Sequence, residues 1–214
     1  MKTVVSYVPG CAGDFIVNCC NHQWLKISDT GSANVSASVR KHDTNTNDTE
    51  WLNIINNLPY DFVGSHLVDR LLRLPVNPIW LVVYNFEKYK VWARRDFITR
   101  GILLKPYGDF YERIKELISN GKVLEAAEEY ILNETNYNWN LVQMRLVQPS
   151  NKVDISDLLE DGGIDSLIQQ LPYLEPVKTQ CRLYHKKWRG SQVVFSEDNT
   201  IRIVSEKLSN MVAK

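Results

Sequence analysis

The segment from Pro78 to Asn85 constrains the fold more than any other part of the sequence. Residues 79–83 read IWLVV, with no polar residue inside the run. A strand that is apolar on both faces is typical of a parallel sheet covered by helices on each side. This segment therefore predicts a central strand of an α/β fold.

Strands and helices alternate along the rest of the chain. Apolar patterning predicts further strands over 3–8, 60–66, 141–147 and 152–155. It predicts helices that begin at Phe15 and that span 51–58, 67–74, 89–100, 111–120, 123–132 and 165–171. The alternation predicts a three-layer α/β fold, with a mostly parallel central sheet and helices on both faces. We expect residues 1–214 to form a single domain, with a polar loop at about 28–49 and a mainly helical insertion at about 105–140.

Charge and hydropathy argue against two classes of partner. The chain has 25 Lys and Arg residues against 25 Asp and Glu residues, so its formal net charge is zero. Binding to a phosphate backbone or to an anionic lipid surface depends on clustered positive charge. The longest apolar runs have only the length of a strand, far short of a bilayer-spanning helix. We therefore expect a soluble protein with neither nucleic-acid nor membrane partners.

The cysteines and the N-terminal residues bear on metals and on location. Cys11, Cys19, Cys20 and Cys181 form no C-x-x-C pair and have no regularly spaced His partners, so no metal site is expected. The first residues carry one positive charge but lack the continuous apolar region of a secretory signal. These features predict a cytoplasmic protein.

The loop from Pro9 to Asp14 separates the first predicted strand from the first predicted helix. At that position, backbone amides and the helix dipole favour an anion. The loop matches neither G-x-x-x-x-G-K-[ST] nor G-x-G-x-x-G, the usual phosphate-binding and dinucleotide-binding motifs. The alternative is a tight turn that uses glycine only for its backbone angles.

His66 is the best catalytic candidate. It ends a predicted strand, after Gly64 and Ser65. In a parallel sheet this places its imidazole at the same edge as the first loop, where a base near neutral pH can act. The alternative is a hydrogen-bonded structural histidine, and His22, His42 and His185 rank lower.

Two groups of basic residues are candidates for binding phosphate. Arg94 and Arg95 lie in the helix predicted after the central strand, where they either clamp a phosphate or form a solvated face. The segment 184–189, which reads YHKKWR, either covers an anionic nucleotide or forms a surface turn.

Taken in order, these segments resemble the sulfotransferase family, especially the small, divergent sulfotransferase-like proteins of bacteria and bacteriophages. Residues 8–16, VPGCAGDFI, resemble the family's 5′-phosphosulfate loop, and residues 64–67, GSHL, resemble the strand end that carries its catalytic base. Residues 78–95 resemble the strand and helix that bind the donor's 3′-phosphate, and residues 153–159 resemble the segment that follows.

The resemblance implies a P-loop-like domain that transfers a sulfuryl group from 3′-phosphoadenosine 5′-phosphosulfate to a hydroxyl or amine acceptor, either a small molecule or a macromolecule. His66 would be the catalytic base, and no metal is implied. The donor would be bound by Pro9, Gly10, Cys11, Ala12, Gly13, Asp14, Phe15, Arg94, Arg95, Lys186, Lys187 and Arg189.

The sequence also departs from the family's pattern. The loop lacks the family's Lys, and Asp14 stands where the family has a hydroxyl residue. One alternative is a non-catalytic interaction protein, for example of a virus, that retains the fold and contacts a host protein through residues 28–49. Another is a P-loop-like nucleotide kinase or hydrolase, which the missing Lys disfavours.

Overall fold

The computed structural model describes nine ranges of the chain: 2–7, 12–27, 37–39, 46–66, 69–85, 87–92, 108–134, 151–191 and 197–212. The strands are β1 (Thr3–Ser6), β2 (Phe62–Ser65), β3 (Asn77–Val82) and β4 (Lys152–Asp154). The helices are α1 (Gly13–Cys20), α2 (Asp48–Asn57), α3 (Asp69–Arg73), α4 (residues 87–92), α5 (Gly108–Ser119), α6 (Val123–Glu134), α7 (Gly163–Gln170), α8 (Lys178–Gly190) and α9 (Glu197–Val212). A 3-10 helix over Pro172–Val177 precedes α8.

The four strands form one parallel sheet in the order β2-β1-β3-β4. In its register, Val4 lies between Val63 and Pro78, and Leu81 lies beside Val153. The predicted α/β class is therefore confirmed, and the apolar strand β3 is one of the two inner strands. From β1 the chain adds β2 on one side of the sheet, and from β3 it adds β4 on the other side. The direction in which strands are added therefore reverses between β1 and β3. In α/β sheets, ligands bind outside the carboxyl ends of the strands at such a point.

Helices cover both faces of the sheet. The first face packs on α1, α7 and α8 in a buried cluster that includes Val5, Leu81, Val153, Phe15, Leu167 and Trp188. The second face packs on α2 and α3 in a buried cluster that includes Val4, Val63, Trp80, Trp51, Ile55 and Leu71. This burial of both faces explains why β3 shows no polar alternation.

The start of α2 differs from the sequence-based prediction because a side chain caps the helix. Helix α2 begins at Asp48, three residues earlier than the 51–58 pattern predicts. The side chain of Asn47 accepts a hydrogen bond of 2.9 Å from the backbone amide of Glu50, which stabilises the earlier start. Asp48 and Thr49, predicted as part of the polar loop, are therefore helical.

Both helices of the predicted insertion are present. Helix α5 ends before Gly121, whose φ of +75° fits the predicted glycine stop, and α6 follows directly. Helix α9 packs against α6. No helix within the described ranges is long and apolar enough to cross a bilayer.

Several predictions fall outside the described residues. These are the strand at 141–147, residues 93–100 of the predicted helix, and most of the polar loop. Within that loop, Ser38 forms a parallel bridge with Gly64 beside β2, and Ala37 and Val39 on either side of it are buried.

Candidate functional site

The candidate site lies at the carboxyl ends of β1 and β2. Ser6 and Ser65, the last residues of these strands, are paired in the parallel register. The backbone amide of Tyr7 then donates to the carbonyl of Ser65 at 3.2 Å. Tyr7 and His66, which directly follow the two strands, therefore lie side by side at this edge of the sheet.

His66 is held by the main chain of Tyr7. Its Nδ1 lies 2.8 Å from the carbonyl oxygen of Tyr7, and its ring meets the ring of Tyr7 edge-on at 4.7 Å. A carbonyl oxygen only accepts hydrogen bonds, so Nδ1 carries the hydrogen and Nε2 is the basic nitrogen of the neutral ring. The half-buried His66 is thus both hydrogen-bonded and oriented with one basic nitrogen, as a general base requires.

Helix α1 begins where the predicted donor loop ends. Ala12 precedes the helix in the left-handed conformation, with a φ of 51°, and its side chain provides no cap. The first amide groups of a helix have no partners within the helix, and together with the helix dipole they favour an anion. The polarity of the amino end of α1 therefore favours an anion.

Gly13 is not needed for the backbone angles of a tight turn, as the alternative in the sequence analysis assumed. The left-handed residue is Ala12, and Gly13 is already the first residue of α1. A Cβ at Gly13 would lie 2.0 Å from the ring of Tyr7. The absence of a side chain at Gly13 is therefore required by the close approach of Tyr7 and not by the backbone angles of that residue.

Asp14 lies in the first turn of α1, where a negative charge is favourable for the helix dipole. One oxygen of its carboxylate, Oδ1, accepts a hydrogen bond from the hydroxyl of Tyr7. The acidic residue of the loop is thereby connected to the same tyrosine that holds His66.

The side chain of Phe15 belongs to the core. It is fully buried and stacks on Tyr184 and Trp188 of α8, with ring centroids 5.2 and 4.7 Å apart. Only the main chain of Phe15 is therefore available to a ligand. The stacking also brings α8, which carries the predicted basic cluster, against the first turn of α1.

The predicted basic cluster is helical, so its interpretation as a surface turn is wrong. Lys186 and Lys187 are exposed on α8, whereas Arg189 forms an ion pair with Asp161. Pro9, Gly10, Cys11, Arg94 and Arg95 lie outside the described residues.

His185, one of the weaker catalytic candidates in the sequence, is buried on α8. It is 4% exposed, and its Nε2 lies 2.7 Å from the carbonyl oxygen of Leu158, to which it donates. Burial lowers the pKa of His185 below its ordinary value of 6.5. A buried neutral ring with this bond is a structural histidine.

Sequence reasoning missed the residues that shape the end of β3. Ser156 is 7% exposed, and its hydroxyl oxygen accepts a hydrogen bond of 3.0 Å from the backbone amide of Tyr84. The side chain of Asn85 accepts from the amides of Glu87 and Lys88 and so caps α4. The Asn85 cap is a recognisable sequence signal, but the role of Ser156 depends on a contact distant in sequence.

Lys88 is a cation at this edge that the sequence did not single out. It forms ion pairs with Glu160 and with Asp157, the latter at 2.9 Å. The hydrogen bonds to Glu160 and Asp157 raise the pKa of Lys88 above its ordinary value. Its charge is therefore already matched by carboxylates of the segment between β4 and α7.

Comparison of the chain with protein-family models, with curated proteins and with solved structures gave no match. The resemblance to sulfotransferases therefore rests on the residues quoted above, and the function is inferred from the site. Among the residues that the structure describes, no group of three or more His, Cys, Asp or Glu side chains is placed to hold a metal ion.

Proposed function

We propose that this chain is a sulfotransferase-like protein that moves a sulfuryl group from 3′-phosphoadenosine 5′-phosphosulfate to a hydroxyl or amine acceptor. The observation that carries the proposal is the placement of His66. It lies at the carboxyl end of β2, and its Nδ1 is 2.8 Å from the carbonyl of Tyr7, the residue that follows β1. A base fixed at the carboxyl end of β2 lies at the edge of the sheet where α/β folds bind their ligands.

The amino end of α1 fits the charged part of the donor. Ala12 leaves the first amides of the helix without a side-chain cap, and these amides favour an anion. The carboxylate of Asp14 is the unfavourable group, because it repels an anionic donor. Its hydrogen bond from Tyr7 engages one of its oxygens and so reduces this conflict.

The chemistry follows from these two groups. As the acceptor oxygen or nitrogen bonds to sulfur, Nε2 of His66 takes the acceptor's proton. The bond between sulfur and the bridging oxygen breaks, and its electron pair leaves with the 5′-phosphate. Negative charge spreads over the transferred group, so the amides at the start of α1 stabilise the transition state by electrostatic preorganisation.

A second candidate function, a fold-retaining interaction protein, is favoured by the pairing of two cations near the site. Lys88 and Arg189 both form ion pairs with carboxylates. A donor phosphate would have to compete with Asp157, Glu160 and Asp161 for them. A protein that contacts a host partner has no need of unpaired cations at this edge.

The variant His66→Asn tests the role of the base directly. The amide of Asn can still donate to the carbonyl of Tyr7 but cannot take a proton at neutral pH. We expect transfer of ³⁵S-labelled sulfuryl to a panel of phenols and amines to fall at least about a hundredfold, while binding of 3′-phosphoadenosine 5′-phosphate is retained.

The matched control is His22→Asn, because His22 is exposed and lies beyond the end of α1. This variant should transfer at the wild-type rate. Full activity in His66→Asn would remove His66 from the mechanism, and the absence of transfer by the wild-type protein to every acceptor would favour the interaction protein.

A further inference from the structure

Two large apolar side chains are exposed on and beside α8. Leu183 of this helix is 65% exposed, and Trp24, which follows α1 in the chain, is 39% exposed. The ring of Trp24 meets the ring of Tyr184 edge-on, with the ring centroids 5.6 Å apart. Every other tryptophan that the structure describes is at most 1% exposed. Trp24 is therefore an exception in this protein, a large aromatic side chain that the fold itself leaves partly uncovered.

Two lysines complete the surface around these side chains. On a helix, residues three and four positions apart are neighbours. Lys187 lies three residues after Tyr184 and four after Leu183, so it neighbours both. Trp24 contacts the helix at Tyr184, so Lys187 lies between the two exposed apolar side chains. Lys186 lies three residues after Leu183 and borders it as well. We call these four residues, Trp24, Leu183, Lys186 and Lys187, the outer α8 surface.

The positive charge of α8 is matched on one side of the helix only. The helix reads KTQCRLYHKKWRG, with five basic residues and no acidic one. Three of the cations form ion pairs with carboxylates of neighbouring segments, namely Lys178 with Glu175, Arg182 with Asp165 and Arg189 with Asp161. Lys186 and Lys187 are exposed and form no ion pair with any residue that the structure describes. Where α8 meets its own chain, the cations have carboxylate partners, and on the outer α8 surface those partners are missing.

We propose that the outer α8 surface docks an acidic segment of a partner protein. Apolar side chains of the segment pack on Trp24 and Leu183, and its carboxylates pair with the two lysines. Charge complementarity selects an acidic partner, and tryptophan is frequent among the residues that contribute most to binding energy at interfaces.

The apolar side chains on this surface favour a protein over a nucleic acid. A phosphate backbone is bound by clustered cations, whereas here Lys187 lies between two apolar side chains in a chain whose net charge is zero. The docking surface does not depend on sulfuryl transfer. It assigns Lys186 and Lys187 to a partner protein and not to the donor.

Panning of phage-displayed random peptides on the wild-type protein tests this surface without a known partner. We expect the recovered peptides to be rich in Asp and Glu and to contain Leu, Phe or Trp. For such a peptide, the Kd should rise at least about tenfold in the double variant Leu183→Asp/Lys187→Glu, because an apolar contact is lost and an attraction becomes a repulsion.

The matched control is the double variant Lys122→Glu/Leu124→Asp. It makes the same two changes at the start of α6, where Leu124 is also 65% exposed, and it should bind the peptide like the wild type. Peptides that are not acidic, peptides that bind both double variants equally, or the absence of any enriched peptide would overturn the proposal.

Three further measurements separate the acidic segment from other occupants of the surface. We expect no binding of a single-stranded oligonucleotide, no displacement of the peptide by 3′-phosphoadenosine 5′-phosphate, and a monomer in sedimentation. Oligonucleotide binding that Leu183→Asp/Lys187→Glu abolishes would assign the surface to a nucleic acid, and displacement by the nucleotide would assign the lysines to the donor. A dimer that the same variant dissociates would assign the surface to a second copy of the chain. Each of these results would overturn the proposal.

Discussion

Cys20 shows how strongly burial acts on a single side chain of this protein. It lies in α1, is 5% exposed, and its sulfur is 3.8 Å from the hydroxyl oxygen of Tyr173. Burial raises the pKa of Cys20 from 9.0 to about 12. The unfolded chain therefore ionises this thiol at lower pH than the folded chain does. The stability that depends on the protonated thiol is complete below pH 9 and is lost as the pH rises towards 12.

This difference predicts an alkaline loss of stability that depends on one residue. Between pH 8 and pH 10.5, the free energy of unfolding should fall by about 2 kcal/mol more in the wild type than in Cys20→Ala. Urea unfolding of both proteins at the two pH values measures the difference. Parallel losses in the two proteins would show that Cys20 ionises alike in the folded and the unfolded chain.

At the scale of single residues, the sequence predicted positions better than contacts. His66 could be placed at the edge of the sheet because the end of a strand is a local pattern. The packing of Tyr7 could not be predicted, because it requires Gly13 and Gly64 to lie against the same side chain. Those two glycines are separated in the sequence and meet only in the folded chain.

Strand β4 is an edge strand of the described sheet, and one side chain of α7 covers part of the backbone of β4. The side-chain oxygen of Gln170 accepts from the amide of Asp154 at 2.7 Å, and its Nε2 donates to the Asp154 carbonyl at 2.9 Å. The amide of Gln170 thus pairs with both backbone groups of one residue, as a neighbouring strand would. Such pairing hides groups that would otherwise be available to another chain.

Loss of this pairing should weaken the link between β4 and α7. We expect Gln170→Ala to lower the free energy of unfolding by about 1–2 kcal/mol, because two hydrogen bonds to the main chain are lost. Gln169→Ala, at an exposed position of the same helix, makes the same change in helix propensity and should cost much less. Equal losses in urea unfolding of the two variants would contradict the role of Gln170 at this strand.

At the scale of elements, apolar periodicity located helices well and their ends less well. Helix α6 starts where it was predicted, whereas α5 and α2 each start three residues early, and in α2 the side chain of Asn47 caps the earlier start. The 184–189 stretch was open to interpretation as a turn because its basic residues dominate the composition. Tyr184 and Trp188, both buried and four residues apart, were the helical signal within it.

At the scale of the whole molecule, the sequence predicted the class of fold. The apolar run of β3 and the alternation of strands and helices indicated it together, because such a run is typical of a parallel sheet covered on both faces. The strand order and the packing of α8 against α1 depend on contacts between distant segments, such as the stacking of Phe15 on Trp188. The composition of the first loop alone did not predict that the side chain of Phe15 belongs to the core.

The proposed function requires that the carboxyl edge of β1 and β2 bind a sulfuryl donor. Isothermal titration of the wild-type protein with 3′-phosphoadenosine 5′-phosphate, with ATP and magnesium as the control, tests it most directly. We predict micromolar binding of the first ligand and none of the second, because the loop lacks the Lys of a triphosphate site. Binding of ATP with magnesium alone, or of neither ligand, would rule out a sulfuryl-donor site at this edge.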